Sequence, residues 1–153
     1  MNRTNAREIA VQLGFYASAA CKPASEIIDD FFDEEYYPTL AADCEVFAEA
    51  PGKNELEYIK RLTGLMEEYR IQIDHYIEQY SHGWKLSRIS KTALAVLRCA
   101  VCEILYMDDI PNAAAINEAV ELAKGYDDAD TVAFINGVLG GFMRGEIAEI
   151  KDE

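Results

Sequence analysis

Apolar residues recur at helical spacing along most of the chain, and short breakers cut the pattern into segments. Ile9, Leu13, Tyr16 and Ala17 share one face of a stretch running from about Asn5 to Ala20, the rhythm of an amphipathic helix. Asn5-x-x-Glu8 has the form of a capping box at its start. Lys22-Pro23 ends this segment, and Pro23 suits the first position of a second helix, "PASEIIDDFFDEEYY". The least regular part lies between Tyr37-Pro38 and Pro51-Gly52, where a short helix between loops is expected. Leu56, Ile59, Leu62 (or Thr63) and Met66 are then in register, and the pattern continues through Ile73, Ile77 and Tyr80 with a break near Tyr69. Ser81-His82-Gly83 is a stop.

The segment "KLSRISKTALAVLRCAVCEILYM" predicts the longest apolar helix, with Ile89, Ala93, Val96, Ala100 and Ile104 on its buried face. Asp108-Asp109-Ile110-Pro111 closes it, Asn112 is placed to cap the next helix, and Gly125 ends "AAAINEAVELAKGY". The last segment, "TVAFINGVLGGF", is ambiguous, because Asn-Gly between apolar pairs is also a hairpin signal. The period decides for a helix: Val132, Ile135, Leu139 and Phe142 fall on one helical face. The competing strands, Ala133–Ile135 against Val138-Leu139, are too short to be stable in water. Within a helix Gly137 costs about 1 kcal/mol relative to alanine, which predicts a packing reason such as a closely approaching neighbour helix. No β-alternating segment of useful length and no internal repeat occurs. The pattern predicts an all-α fold of about seven helices, residues 1–153 forming one domain.

Composition narrows the class. Half of the 153 residues are hydrophobic, too many for a disordered acidic tail. No apolar run approaches the roughly 18 residues of a membrane span. The first residues, "MNRTNAREIAVQLGFYASAA", carry early arginines and a small-residue end, but Glu8 and Gln12 interrupt them in an amphipathic pattern unlike a signal peptide. A soluble, cytoplasmic protein is expected.

Charge changes the picture more. The net charge is −14, unevenly spread. Residues 23–60 hold eleven acids against Lys53 and Lys60, and residues 107–153 are also strongly acidic. Two basic islands interrupt them: Arg3, Arg7 and Lys22 against Glu8, and Lys85, Arg88, Lys91 and Arg98 against Glu103. Such asymmetry suits local attraction for a polyanion, a partner with a basic surface, or ordinary solvated helix faces.

Candidate chemistry is sparse. Cys99-x-x-Cys102 lies in an apolar helical run and reads as two small core-facing residues one turn apart. It has no second C-x-x-C and no nearby histidine. His75 and His82 lack a companion ligand, so no metal site is expected. Phosphate loops, H-E-x-x-H and G-x-S-x-G are absent. Glu118 and Glu121 have carboxylate-bundle spacing without the E-x-x-H partners. Neither an enzyme nor a cofactor is expected.

From Trp84 onward the chain resembles the NusB family of bacterial transcription antitermination factors. The residues that carry this are "WKLSRISKTALAVLRCAVCEILYMDDIP", "AAAINEAVELAKGY" and "AFINGVLG" in that order. "AREIAVQLGFY" is similar to the family's opening helix and "EYIKRLTGLMEEYRIQID" to its middle one. The resemblance implies two packed helical subdomains, about 1–82 and 83–153, with "FING" inside a C-terminal helix. It further implies pairing with NusE, the small-subunit ribosomal protein, binding of the boxA element of nascent RNA, and assembly on RNA polymerase during ribosomal RNA transcription. Neither DNA nor a membrane is implied as a partner.

The basic islands fall where that function needs them. Arg3 and Arg7, four apart on the first helix, are expected on one exposed face away from Ile9 and Leu13, holding phosphates. Lys85, Arg88 and Lys91 repeat every three residues as a second ridge, and Phe134 matches an aromatic near the family's RNA surface, a candidate for base stacking. Phe15, and Ala93 where many members carry an acid, match the NusE-facing positions. Family members commonly have a longer arginine run where this chain has "NRTN". Two other functions compete: a NusB-like interaction module without direct RNA contact, and the RNA-guiding domain of a ribosomal RNA methyltransferase.

Overall fold

Each predicted helical segment forms helix, and no strand occurs among the residues described, 1–147, in a computed structural model of the chain. Two compact units divide it between Glu68 and Tyr69.

The first unit contains α1 (Arg3–Ala20), α2 (Ala24–Phe31), two 3-10 turns (Tyr37–Ala42 and Glu45–Phe47) and α3 (Lys53–Glu68). α1 starts two residues before Asn5. The Asn2 side chain accepts from the Asn5 N–H at 2.8 Å, so Asn2 is the cap and Asn5 lies inside the first turn. α1 packs on α3, burying Ile9, Ala10 and Leu13 on one helix and Ile59, Leu62 and Met66 on the other. α2 rests on both. Pro23 stands at its cap position, and the first N–H of the helix, on Ala24, donates to Glu67 Oε2 of α3 at 2.6 Å. α2 stops well short of Tyr37, because the Asp33 carboxylate takes the N–H groups of Glu35 and Tyr36 at 2.9 and 3.0 Å and stabilises a turn instead. Phe31, Tyr37 and Phe47 then meet edge to face in a small aromatic core. The Tyr37 hydroxyl donates to the Glu49 carbonyl at 2.9 Å. Burial, with the Glu49 charge second, raises its pKa above the ordinary 10.0.

The second unit contains α4 (Arg70–Tyr80), a 3-10 turn (Leu86–Arg88), α5 (Lys91–Tyr106), α6 (Asn112–Lys124), α7 (Ala129–Phe142) and a π turn (Met143–Ile147). Its first residue, Tyr69, marks the expected break: it leaves the helical region at φ −105°, ψ 22°, with its ring stacked on Tyr106 of α5 at 4.0 Å. The division precedes α4, earlier than the expected boundary near residue 82. α4 turns its buried Ile73 and Ile77 to α5 and α7, and Arg98 of α5 grips Asp74 of α4 through two hydrogen bonds of 2.7 and 2.9 Å.

α5 is enclosed by α4, α6 and α7. It buries Val96, Leu97, Ala100, Val101 and Ile104, together with Cys99 and Cys102, both free thiols. α6 begins at Asn112 itself, with Pro111 at the cap position and accepting from the Ala115 N–H at 3.1 Å; Asn112 is inside the helix and not its cap. α7 is a single helix through Asn136-Gly137, capped by Asp128, which accepts from the Thr131 N–H at 2.8 Å. Gly137 is exposed, and a β-carbon there would meet nothing within 4 Å. The expected close approach occurs one turn and more further on. A β-carbon at Gly141 would lie 3.2 Å from the Tyr80 ring, and one at Gly145 would overlap the Tyr80 hydroxyl. That hydroxyl donates to Glu146 Oε1 at 2.7 Å.

Candidate nucleic-acid and partner interface

In the first unit the sequence of α1 places Arg3 in its first turn and Arg7 one turn on, with the same side of the helix facing α3. Tyr58 of α3 projects to meet them. The Arg3 guanidinium carbon lies 4.1 Å from the Tyr58 ring centroid and that of Arg7 lies 5.7 Å away. The shared face is as expected; its exposure is not. Arg3 is exposed, whereas Arg7 is only 4% exposed. Arg7 is therefore corrected from a phosphate-contacting residue to a buried charge behind the ring, because four residues is the spacing that also brings it under α3. The Met1 ammonium pairs with the Glu49 carboxylate, so it adds little to this island.

Phe15 is half-buried further along α1, its ring 5.8 Å from that of Tyr16 in an edge-on pair. Tyr16, expected in the core, is 46% exposed. At the edge of the apolar stripe its hydroxyl is better served by water than by a buried site without a partner. Phe15 and Tyr16 together give α1 an aromatic surface.

In the second unit Lys85, Arg88 and Lys91 are all exposed, but they do not ride one helix. Lys85 is extended (φ −77°, ψ 153°), Arg88 ends the 3-10 turn, Ile89 is extended, and Lys91 is the first residue of α5. The Ser90 hydroxyl accepts from the Ala93 N–H at 3.2 Å, and this cap fixes the helix start at Lys91. The ridge is thus a basic strap leading into a helix N-terminus. A cation there opposes the helix dipole, a tension that an incoming anion relieves. Beside the strap stands Trp84, 55% exposed, a stacking surface that helix-period reasoning passes over because it lies between elements.

Ala93 is fully buried at 0% exposure. Its methyl faces the unit's interior and presents no surface of its own, contrary to the exposure expected of a partner-contacting residue. Phe134 is half-exposed on α7, sharing a face with Asp130 and Gly137. An open groove between α6 and α7 lies to another side of α7, walled by Val120, Val132 and Ala133 with Asn117 and Asn136 at its edges; Phe134 is not among its walls. Asp127 and Asp130 flank the capping residue Asp128, whose carboxyl is held below its ordinary range mainly by the Thr131 N–H bond. This end of α7 is acidic, so it offers a base a ring face but offers phosphate little.

Residues 4–144 match the sequence model of the NusB family. The chain is 40% identical over 146 residues to the transcription antitermination protein NusB of Thermoanaerobacter sp. (strain X514), covering 95% of this chain and 93% of that protein. It is 38% identical over 144 residues to the NusB of Clostridium novyi (strain NT), covering 94% and 99%. Among solved structures, T. maritima NusB superposes with a TM-score of 0.79 at 26% identity over 99% of this chain and 97% of that one. A crystal structure of antitermination factors NusB and NusE in complex with dsRNA shares the fold, with a TM-score of 0.75 at 21% identity over 93% of this chain and 96% of that one.

Proposed function

The chain belongs to the NusB family, and from that membership we propose that it is a transcription antitermination factor that pairs with NusE and holds boxA RNA on the transcribing polymerase. The observation that carries the RNA half is the placing of exposed cations beside aromatic rings at two points of an otherwise acidic chain. Arg3 sits on Tyr58, and Trp84 adjoins Lys85. The cations hold phosphates, and the exposed Trp84 ring stacks an unpaired base, the combination that single-stranded RNA requires. Phe15 and Tyr16 supply aromatic anchors for the protein partner, while the acids of residues 23–60 repel RNA and favour a basic protein such as a ribosomal one. The factor works in the cytoplasm, where transcription takes place; among the described residues no helix is long and apolar enough to cross a membrane.

The relatives at 38–40% identity are transcription antitermination proteins, which favours the factor over the guiding domain of a methyltransferase. A second reading, an interaction module without RNA contact, is favoured by the net charge of −14. Fluorescence anisotropy with labelled boxA RNA, with and without NusE, separates the two. The factor binds RNA weakly alone and far better with NusE, and the log–log salt slope loses about 0.7 for each phosphate contact removed. Arg3→Ala and the triple change of Lys85, Arg88 and Lys91 to alanine each lower it. A NusE complex that binds boxA and scrambled RNA alike, indifferent to all four substitutions, establishes the interaction module.

A further inference from the structure

We propose that Tyr58 is a positioning residue for RNA: its ring holds the Arg3 guanidinium ready for a single phosphate, with Arg7 as the buried charge behind it. This rests on the RNA-binding reading and adds the group that orders the Arg3 side chain for its contact.

The argument begins with the flexibility of arginine. An exposed arginine at a helix start samples many rotamers, and each contact it makes must overcome the cost of ordering it. Tyr58 is 5% exposed on α3, so its ring is fixed by the packing of the first unit. The Arg3 guanidinium carbon, 4.1 Å from the ring centroid, is within cation–π range. A guanidinium held over the ring through its carbon retains N–H groups that can fork onto a phosphate. Arg7 lies at 5.7 Å and is enclosed. Its burial keeps it from reaching a phosphate. The island therefore neutralises one phosphate and not two.

The test is boxA affinity of the NusE complex against salt, for Arg3→Ala, Arg3→Lys, Tyr58→Phe, Tyr58→Leu and the double variant Arg3→Ala/Tyr58→Leu, each checked for helix content. Tyr58→Phe keeps the ring and binds as wild type. Tyr58→Leu weakens binding by about three- to tenfold but keeps the slope, because the Arg3 charge remains, whereas Arg3→Ala lowers the slope by about 0.7. On the Arg3→Ala background it adds nothing further. Were Tyr58→Leu not to fold, Arg3→Lys still decides: lysine keeps the charge but gives up the planar stack, so it keeps the slope and loses affinity. Wild-type affinity in both Tyr58→Leu and Arg3→Lys, with Arg3→Ala impaired, overturns the role of Tyr58 and leaves RNA binding standing. A wild-type complex with no salt-dependent RNA binding overturns the RNA reading and this inference with it.

Discussion

Replacing Gly137 and Gly145 by alanine adds the same methyl group at two places that answer in opposite directions. At Gly137 the new β-carbon enters open space on the exposed side of α7. The change removes the helix penalty of glycine and narrows the unfolded ensemble, a gain of about 0.5–1 kcal/mol. At Gly145 the new atom would overlap the Tyr80 hydroxyl and lie 2.7 Å from Cζ and 2.8 Å from Cε1. A rigid ring cannot give way at one atom, so the whole of Tyr80 must move and its 2.7 Å bond to Glu146 is lost. Overpacking costs about 1–3 kcal/mol and a hydrogen bond to a carboxylate is worth about 1.5–3 kcal/mol. Even with about 1 kcal/mol returned by helix propensity, a net loss of about 1.5–5 kcal/mol remains. At about 2–4 °C per kcal/mol for a chain of this size, thermal melts followed by circular dichroism should rise slightly for Gly137→Ala. They should fall by about 3–20 °C for Gly145→Ala. Tyr80→Phe should recover part of the second loss by removing the overlapping oxygen. A Gly137→Ala protein that melts below wild type, or a Gly145→Ala protein that melts with it, would refute this account of the two positions.

Phe15→Asp should weaken association with NusE while leaving helical content intact; an unchanged dissociation constant in calorimetry would take Phe15 out of the interface. Asp128→Ala should lower the melting temperature and Asp128→Asn should not, because the amide oxygen can cap α7 equally well. Since the Asp128 carboxyl is held below its unfolded value of 3.8, its contribution is present above that pH and fades as pH falls through the folded value, which acid titration of the two variants would reveal. Tyr37 behaves in the opposite sense. Its folded pKa is raised above 10.0, so its contribution is complete below pH 10.0 and lost as pH rises through the folded value. Phenolate absorbance should lose one late-titrating tyrosine in Tyr37→Phe, while Tyr106, raised mainly by burial, still titrates late.

The helices were legible because burial imposes a period. Ile9 and Leu13, Ile59 and Leu62, and Ile73 and Ile77 all occupy the core positions their spacing implies. Ends were less legible, since they depend on single side chains: Asn2 in place of Asn5, Pro111 in place of Asn112, and Ser90 starting α5 only at Lys91. That last cap is also why a three-residue repeat of cations proved to be a strap. The candidate site was half legible. Charge type located both islands, but burial of Arg7 depends on a ring on another helix, which no local pattern reports. Ala93 carried two incompatible expectations, core face and partner face, and its packing leaves only the first. Gly137 and Gly145 look alike in sequence; Tyr80 alone tells them apart.

The bond from Ala24 to Glu67 has a consequence for how the chain is made. α2 is eight residues long, too short to hold together by itself in water, and its opening N–H is satisfied by a carboxylate near the end of α3. On the ribosome α2 leaves the exit tunnel while that carboxylate, 43 residues further on, is still inside it. The nascent segment must wait, extended and strongly acidic, until α3 has cleared the exit tunnel. In pulse-labelled hydrogen exchange its amides should therefore gain protection together with those of α3, and never ahead of them.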